Sequence, residues 1–316
     1  MFRLDRTLLW AWPWELRRRG VLGINERNLR LVFRLNPRAR YVNVDDKSVT
    51  KTICEAHGIP VPQTYGVISR FGDIRRFSEI VGNRRQFVVK PACGSAGRGI
   101  LVVTEHDGEA FTVVDGRRLG LVDVRYHLST TLSGLYSLGG RPDKAIVEER
   151  ILKHPAMKDL AVGGTPDIRI IVHRCRPVMA MLRLPTEESG GRANLHQGAV
   201  GVGIDISSGQ TTKATYYNRA VDRHPDSGAR LEGREIPHWT DALLAAAGVS
   251  RALELGYIGV DIVLDAGRGP LVLEANARPG LAIQIANADG LLRRLTGGEV
   301  APTARSPARA APAGAS

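Results

Sequence analysis

Two apolar runs separated by a short turn lie near the C-terminal end of the chain. They cover residues 257–264 and 270–277, and the segment between them, 265–269, contains an aspartate and two glycines. Apolar runs joined by such a segment are typical of a β-hairpin. We therefore predict a hairpin whose side chains alternate between two faces with a period of two residues.

The same kind of pattern predicts elements along the rest of the chain. Apolar residues three to four positions apart indicate helices, and glycine or proline marks where they end. In chain order we expect a helix around residues 29–33, a helix over 46–58, a strand, a glycine-rich loop and a strand over 86–103, short strands over 111–124, a strand over 145–152, a hairpin over 167–185 that turns at Arg176 and Pro177, and a helix over 240–256.

Two carboxylates take matching positions in the predicted C-terminal hairpin. If the turn is centred between Gly267 and Arg268, Asp261 lies opposite Glu274, and Asn276 shares the face of Glu274. Facing carboxylates repel each other unless a positive group lies between them. A hard divalent cation such as Mg²⁺ fits, because it binds carboxylate and amide oxygens. Two acids on a solvated sheet face are the alternative, but the apolar neighbours of both acids favour the metal.

A glycine-rich loop follows a predicted strand that ends in a lysine. The loop contains Gly94, Ser95, Gly97 and Gly99, and Lys90 is the lone charge of the preceding strand. Glycines let backbone N–H groups approach an anion closely. The segment matches neither the Walker A motif nor G-x-G-x-x-G, and glycines that serve only a turn are the alternative. The position of Lys90 favours phosphate binding.

Composition and charge narrow the class of protein. The chain has 316 residues, of which 43% are hydrophobic and 24% charged, and its net charge is +12. These values are typical of a globular protein with one large or two ordinary domains, and no apolar run is long enough to span a bilayer. The three cysteines lack metal-binding spacing, so we expect no zinc site and a reducing, cytoplasmic location. The basic residues are spread along the chain and do not form a cluster, so we expect no groove that is dedicated to nucleic acid.

Both ends of the chain have an unusual composition. Residues 1–45 are rich in arginine and contain three tryptophans. We expect the tryptophans to pack onto the domain, with insertion into a membrane interface as the alternative. The segment lacks a small-residue cleavage site, so we expect no signal peptide. Residues 298–316 are rich in alanine and proline, and we expect them to be disordered.

Five separated motifs resemble those of ATP-grasp enzymes. The segment G-V-D-I…L-E-A-N-A-R-P-G-L is similar to the metal-binding end of RimK-type peptide and glutamate ligases. D-K…G-I-P-V-P over 46–62, the strand and loop over 86–103, D-I-R at 167–169 and R-A-N-L-H-Q-G-A at 192–199 follow the family's order. The resemblance implies an α+β ATP-grasp fold, in which two lobes hold ATP between their sheets.

The resemblance also implies roles for individual residues. Some would contact the phosphates, some the adenine and ribose, and some the metal. By position in the family's motifs, Lys47, Lys90, Gly94, Ser95, Gly97, Gly99, Asp167, Arg192 and Asn194 would lie at the ATP phosphates, Arg169 and Arg183 would act on the transferred phosphoryl group, Glu148, Glu149, Arg150 and Ile151 would bind adenine and ribose, and Asp261, Glu274 and Asn276 would hold Mg²⁺ or Mn²⁺.

The implied activity is that of an ATP-dependent carboxylate–amine ligase that forms an amide through an acyl phosphate, with glutamate or a peptide as substrate. Residues 1–45 would replace the α/β domain that usually precedes the ATP-grasp lobes, which would span 46–143 and 144–297. Two alternatives stay open. The same ATP site could serve a kinase with a hydroxyl acceptor, or the chain could be a basic scaffold that binds nucleic acid or membrane. An oligomer is compatible with each reading.

Overall fold

The computed structural model describes residues 12–94, 97–160 and 162–295, except for the side chain of Leu138. Ser95 of the glycine-rich loop and the tail at 298–316, which was expected to be disordered, lie outside these residues. The described strands form two antiparallel sheets, one of six strands and one of seven, with helices packed around them. This is the α+β arrangement that the sequence predicts.

The six-stranded sheet is built from the first half of the chain. Its core contains the rings of Phe77, Phe87 and Phe111, whose centroids lie 5.8 to 6.0 Å apart. The spatial order of the strands is β1-β6-β2-β3-β4-β5. Their bounds are β1 (Thr64–Ile68), β2 (Phe87–Pro91), β3 (Leu101–His106), β4 (Ala110–Val113), β5 (Arg118–Gly120) and β6 (Ala145–Glu148).

The seven-stranded sheet is built from the second half of the chain and contains the C-terminal hairpin. The spatial order of its strands is β11-β10-β9-β8-β7-β12-β13, so the hairpin strands lie at one edge, next to β7. Their bounds are β7 (Asp167–His173), β8 (Arg176–Leu184), β9 (Val200–Ile204), β10 (Thr211–Tyr216), β11 (Arg219–Val221), β12 (Tyr257–Asp265) and β13 (Gly269–Asn276).

Ten α-helices connect and cover the sheets in the described part of the chain, together with a π-helical turn at Asn28–Val32 and several 3-10 turns. The helices are α1 (Pro13–Arg18), α2 (Ile24–Arg27), α3 (Phe33–Leu35), α4 (Val42–Asp45), α5 (Lys47–Ala56), α6 (Phe77–Val81), α7 (Leu121–Leu132), α8 (Trp239–Ala252), α9 (Ile283–Asn287) and α10 (Leu291–Leu295). None of the described helices has the length and apolar character that crossing a membrane requires.

The two faces of the seven-stranded sheet bury different partners. One face, which includes Ile170, packs against α8 and against Cys54 of α5. The opposite face, which includes Ile171, is covered by the N-terminal segment, α9 and α10. Because side chains alternate along β7, Asp167 and Arg169 share the face of Ile171. The candidate site therefore lies on the same face of the sheet that the N-terminal segment, α9 and α10 cover.

The N-terminal segment packs through aliphatic side chains rather than through its tryptophans. Leu22 and Val32 are fully buried in the cluster that covers the sheet. Trp12 and Trp14 are exposed and stack on each other, with ring centroids 4.6 Å apart. The expectation that the tryptophans pack onto the domain was therefore wrong for these two, and Trp10 lies outside the described residues.

The hairpin of β7 and β8 turns two residues earlier than the sequence predicts. Arg174 and Cys175 form the turn with φ of 50° and 60°, whereas Pro177 lies inside β8 opposite Val172. Two-residue hairpin turns commonly take positive φ at both central residues. A register shift beside Val172 accommodates Pro177, which has no N–H to donate. The predicted turn at Arg176 and Pro177 was wrong.

Residues 121–124 begin α7 instead of extending the short strands that precede them. The Asp123 carboxylate accepts a hydrogen bond of 2.8 Å from the backbone N–H of Gly120, which caps the start of the helix. Val124, Leu128 and Leu132 are buried at a spacing of four residues. Packing of this stripe against the six-stranded sheet favours a helix over the predicted strand.

The lobes divide the chain differently from the expected boundaries. β6 follows residue 144, yet it lies between β1 and β2 in the six-stranded sheet. In the other direction, α5 begins at Lys47 but buries Cys54 in the core of the seven-stranded sheet. The chain thus exchanges one helix and one strand between the lobes, and both elements lie beside the candidate site.

Candidate active site

Four charged side chains form a buried chain of ion pairs on the face shared by β7, β8 and β12. Asp167 lies opposite Arg183, and Arg169 lies opposite Asp261, in the strand register. Arg169 donates to both carboxylate oxygens of Asp261 at 2.7 and 2.6 Å. Arg183 donates to both oxygens of Asp167 and, from Nη2, to Asp261 Oδ2 at 2.7 Å. Each arginine is therefore held in a fixed orientation by carboxylates.

Burial and the neighbouring charges set the protonation of these acids. Burial would raise the pKa of Asp261, but Arg169 and Arg183 outweigh it and hold that pKa below its ordinary value. Burial raises the pKa of Asp167, and the Arg183 guanidinium opposes this rise. Burial would lower the pKa of Arg183, but the carboxylates of Asp167 and Asp261 outweigh it and raise that pKa. Asp261 likewise outweighs burial at Arg169, so both guanidinium groups stay charged.

Asp261 and Glu274 face each other as the sequence predicts, but a bulge is needed to achieve it. The hairpin turn is centred on Gly267, because Asp265 pairs with Gly269. That centre alone would place Leu273 opposite Asp261. The register shifts between Asp261 and the next pair of β12, which makes Leu273 the extra residue and returns Glu274 to the facing position.

The three oxygen-bearing side chains of this hairpin fit a hard divalent cation in part. Asp261 accepts three hydrogen bonds from arginines, and a carboxylate has about four acceptor positions, so one remains on Oδ1. Glu274 is 36% exposed. Asn276 lies opposite Gly259, two residues from Glu274 and on the same face, and its Oδ1 accepts the backbone N–H of Arg278 at 2.8 Å.

Two carboxylates and an amide are suitable ligands for Mg²⁺ or Mn²⁺. A group of three or more His, Cys, Asp or Glu side chains placed for metal binding does not occur among the described residues. The predicted set is of another type, since it contains only two acids. The chemistry of the donors fits such an ion, to which Asp261 offers one open acceptor position.

Lys47 connects the glycine-rich loop with the acidic hairpin. Asp46 caps α5 by accepting the backbone N–H of Ser48 at 2.8 Å, which sets Lys47 at the first position of the helix. Lys47 Nζ donates to the carbonyl of Gly94 at 2.7 Å and lies 3.4 Å from Glu274 Oε2. One side chain therefore contacts both parts of the predicted phosphate site.

A second lysine of α5 joins Lys90 in a buried ion triple. Lys90 Nζ lies 2.6 Å from Glu148 Oε1, and Lys51 Nζ donates to Glu148 Oε2. All three side chains are less than a tenth exposed. Lys51 is a site residue that our sequence reasoning missed. Its position one helical turn after Lys47 was the available signal, since residues four apart share a helix face.

The ion triple carries an excess positive charge. Burial would raise the pKa of Glu148, but Lys90 and Lys51 outweigh it and lower that pKa. Burial lowers the pKa of Lys51, and Glu148 opposes this change. With one carboxylate between two ammonium groups the net charge is +1. A buried net charge is costly, so the triple favours the arrival of an anion beside Lys90.

The glycines of the loop allow close approach to the rest of the site. Gly97 and Gly99 have φ of 70° and 73°, which favours glycine over other residues. A Cβ at Gly99 would lie 2.3 Å from the Tyr136 ring, and a Cβ at Gly97 would lie 3.5 Å from Arg192 Cδ. Gly97 therefore brings the first lobe against Arg192 of the second.

The end of β6 and the segment after it carry two carboxylates that are paired with basic side chains. The Glu148 carboxylate is engaged by lysines, and the Glu149 carboxylate pairs with Arg268 at 2.5 Å. Arg150 and Ile151 follow without strand pairing and are half-buried. An open cavity of about 490 Å³ lies beside Glu149 and Arg268 and is otherwise lined by residues 55–63. Two of the four residues expected at adenine and ribose thus have their carboxylates occupied by basic partners.

Asn194 lies near Arg192, but its side chain supports the local backbone. Its Oδ1 accepts the N–H of His196 at 3.0 Å and caps the 3-10 turn Leu195–Gln197. Of the residues predicted from the sequence, the structure brings Lys47, Gly94, Asp261 and Glu274 together at one point, with Arg169, Arg183 and Asp167 adjacent.

Comparison with known proteins identifies the family of this chain. Residues 26–299 match a family model described as Sugar-transfer associated ATP-grasp. A cyanophycin synthetase of Synechocystis sp. is 25% identical in an alignment 310 residues long, which covers 90% of this chain and 33% of that protein. A protein of Sodalis glossinidius named "Probable alpha-L-glutamate ligase" is 28% identical over 79% of this chain and 62% of its own length. The chain thus spans about a third of the cyanophycin synthetase.

Solved structures of ligases are more distant. A D-alanine–D-alanine ligase from Bacillus anthracis is 16% identical, with a TM-score of 0.47 over 81% of this chain and 66% of that one. A D-cycloserine synthetase is 17% identical, with a TM-score of 0.46 over 82% and 71%.

Proposed function

Because the chain belongs to the sugar-transfer associated ATP-grasp family, we propose that it uses ATP to join a carboxylate to an amine. ATP would phosphorylate the carboxylate, and the amine would attack the carbonyl carbon of the acyl phosphate, which forms the amide and releases phosphate. The observation that carries this proposal is the placement of Lys47, whose ammonium group contacts the loop carbonyl of Gly94 and lies 3.4 Å from Glu274.

The lysines would bind the phosphates of ATP. Lys47 and Lys90 bring positive charge to the junction of the lobes, and the net charge of the Lys51–Glu148–Lys90 triple favours an anion there. The glycine-rich loop would cover the phosphates with backbone N–H groups. Arg192, next to Gly97, would add a cation from the second lobe. The backbone of residues 148–151 would contact the base and ribose, while the Glu148 carboxylate stays in the ion triple.

Asp261, Glu274 and Asn276 would hold Mg²⁺ or Mn²⁺. When bound, such an ion neutralises phosphate oxygens and polarises the bond to be broken. The one free acceptor position of Asp261 supports a single contact from this residue, so the partly exposed Glu274 would be the main protein ligand.

Arg169 and Arg183 would stabilise the transferred phosphoryl group. Their carboxylate partners hold them in place before substrate binds, which is the preorganisation that electrostatic catalysis requires. Phosphoryl transfer depends on positioning and positive charge more than on a strong base. We therefore assign no general base, and we assign His196 no proton transfer.

The substrates would be an amino acid such as glutamate, or a peptide, together with an amine. The name of the Sodalis glossinidius protein, which contains "alpha-L-glutamate ligase", supports glutamate as a candidate. Since this chain matches only part of the cyanophycin synthetase, the substrate is best identified directly. Carboxylates and amines can be supplied in pairs, with ADP and inorganic phosphate measured for each pair.

The products distinguish the proposal from its alternatives. A ligase releases ADP and inorganic phosphate together, and mass spectrometry finds an amide. A kinase would release ADP without phosphate and leave a stable phosphorylated product, which would contradict the proposal. Absence of ADP release with every pair, together with unchanged nucleotide binding in a Glu274→Gln variant, would support a non-catalytic role instead.

A further inference from the structure

The first helix of the described chain buries none of its residues. α1 exposes Trp14 (64%) and Leu16, and Trp12 (50%) precedes it. The two indole rings stack on each other with an interplanar angle of 15°. Clusters of exposed large apolar side chains commonly mark a site that binds a protein or a membrane. The apolar side chains of α1 are thus displayed outward.

Backbone hydrogen bonds hold this helix on the protein at its C-terminal end. The carbonyl of Gly20, just after α1, accepts the N–H of Leu292 at 3.0 Å. Gly20 is buried with φ of 75°, and a Cβ there would lie 2.6 Å from Arg293 Cγ. Arg293 Nη2 also donates to the carbonyl of Arg18 at 3.1 Å. α1 is therefore fixed to α10 at one end.

The same helix is strongly basic. Arg17, Arg18 and Arg19 are exposed at its C-terminal end, and Arg293 of α10 lies against them. Glu15 pairs with Arg19 at 2.6 Å. Between residues 12 and 45 the chain has eight arginines and three acidic residues. The exposed tryptophans therefore lie next to a local excess of positive charge.

The outward face of the following helical segment has the same character. The sequence places Leu29 and Phe33 at core spacing, but both are exposed, at 63% and 65%. Arg30 and Arg34 accompany them on the exposed side. The buried side of this segment, with Val32, packs on the seven-stranded sheet. Apolar and cationic side chains are thus exposed together in two parts of the N-terminal segment.

We propose that the α1 surface, formed by Trp12, Trp14, Leu16, Arg17, Arg18 and Arg19, binds an anionic lipid bilayer at the level of its headgroups. Tryptophan favours the membrane–water interface, and clustered basic residues bind anionic lipid. This pairing of indole with guanidinium matches a membrane interface in both polarity and charge. A bilayer also needs no matching groove, and α1 projects without burying a residue.

The full chain can be tested with vesicles of about 30% phosphatidylglycerol in phosphatidylcholine. We expect co-sedimentation at low salt that weakens as salt screens the charges. A variant with Arg17→Gln, Arg18→Gln and Arg19→Gln should bind about a hundredfold less tightly, at roughly fivefold for each basic residue near the surface. Trp12→Ser with Trp14→Ser should lose binding and lose quenching of tryptophan fluorescence by brominated lipid.

Two matched controls carry equivalent changes elsewhere. Arg76→Gln, Arg117→Gln and Arg118→Gln remove the same charge from exposed positions of the six-stranded lobe, and Val122→Ser with Tyr126→Ser remove exposed apolar groups of α7. Both controls should bind vesicles like the wild type. All four variants should keep the wild-type Tm, because the substituted side chains are exposed.

Three results would overturn the proposal. The first is an equal loss of vesicle binding in the controls and in the α1 variants. The second is no co-sedimentation of the wild type at low salt. The third is an RNA oligonucleotide that binds the same arginines more tightly than vesicles do and abolishes vesicle binding. The last result would assign the α1 surface to nucleic acid.

Discussion

Lys47 Nζ and Glu274 Oε2 lie 3.4 Å apart, although the two residues are separated by most of the chain. α5 supplies the lysine and the C-terminal hairpin supplies the acid. The same ammonium group donates to Gly94 O of the six-stranded lobe at 2.7 Å. The contact therefore joins the glycine-rich loop to the predicted metal ligands, and it is the point at which the triphosphate would be held.

Glu274→Gln should abolish most ADP release without unfolding the protein. Glu274 is 36% exposed, so the amide fits without a buried unpaired charge. Loss of a metal ligand should lower kcat/KM by at least about a hundredfold. Steady-state kinetics and Mn²⁺ titration by electron paramagnetic resonance would measure this, with Glu254→Gln as an exposed control. Full turnover in Glu274→Gln would contradict the metal assignment.

Asp261→Asn should lower stability as well as activity. The carboxylate pairs with Arg169 and shares Arg183 with Asp167, so its removal takes away the ion-pair partner of the buried Arg169 guanidinium. Breaking a buried pair on one side costs about 3 kcal/mol or more. Urea denaturation should show this loss, and Glu274→Gln, measured in parallel, should not. Equal stability of both variants would mean that the arginines do not depend on Asp261.

Lys51→Met should weaken ATP binding although Lys51 need not touch the nucleotide. Without Lys51, Glu148 neutralises Lys90 alone, and the net charge of the ion triple falls from +1 to zero. We expect the Kd for ATP to rise by about tenfold, as for other buried charge pairs. Lys213→Met, at an exposed position, is the control and should bind normally.

A double variant separates this charge effect from simple damage to the fold. Lys51→Met combined with Glu148→Gln restores the net charge of +1 through Lys90. It should therefore bind ATP more tightly than Lys51→Met alone. Weaker binding in the double variant would show that Lys51 acts through packing instead.

Asp46 should contribute stability at neutral pH that disappears in acid. Burial would raise its pKa, but hydrogen bonds from Lys144 and Ser48 outweigh it and lower that pKa below its ordinary 3.8. A lowered pKa stabilises the fold above the unfolded value and loses this contribution as pH falls through the folded value. Wild type should be more stable than Asp46→Asn at pH 7, and the difference should shrink as pH falls below 3.8 and through the lower folded pKa. A constant difference down to pH 3 would exclude the ionic contribution.

The sequence alone predicts the elements whose patterns are local. A helical pattern that ends at Gly58 marks α5, and apolar runs mark the C-terminal hairpin. The facing of Asp261 and Glu274 was also predicted, but from a turn centre that is half a residue away from the actual one. The bulge at Leu273 compensates, and no local signal announces it.

Only the tertiary structure decides how charges and apolar faces meet. Lys51 and Glu148 are 97 positions apart, and their pairing depends on how α5 lies against β6. Likewise Leu29 and Phe33 have core spacing but face outward, because Leu31 and Val32 take the sheet contact. Sequence patterns report the conformation of neighbouring residues, whereas ion pairs and buried faces depend on packing between distant segments, which local spacing does not encode.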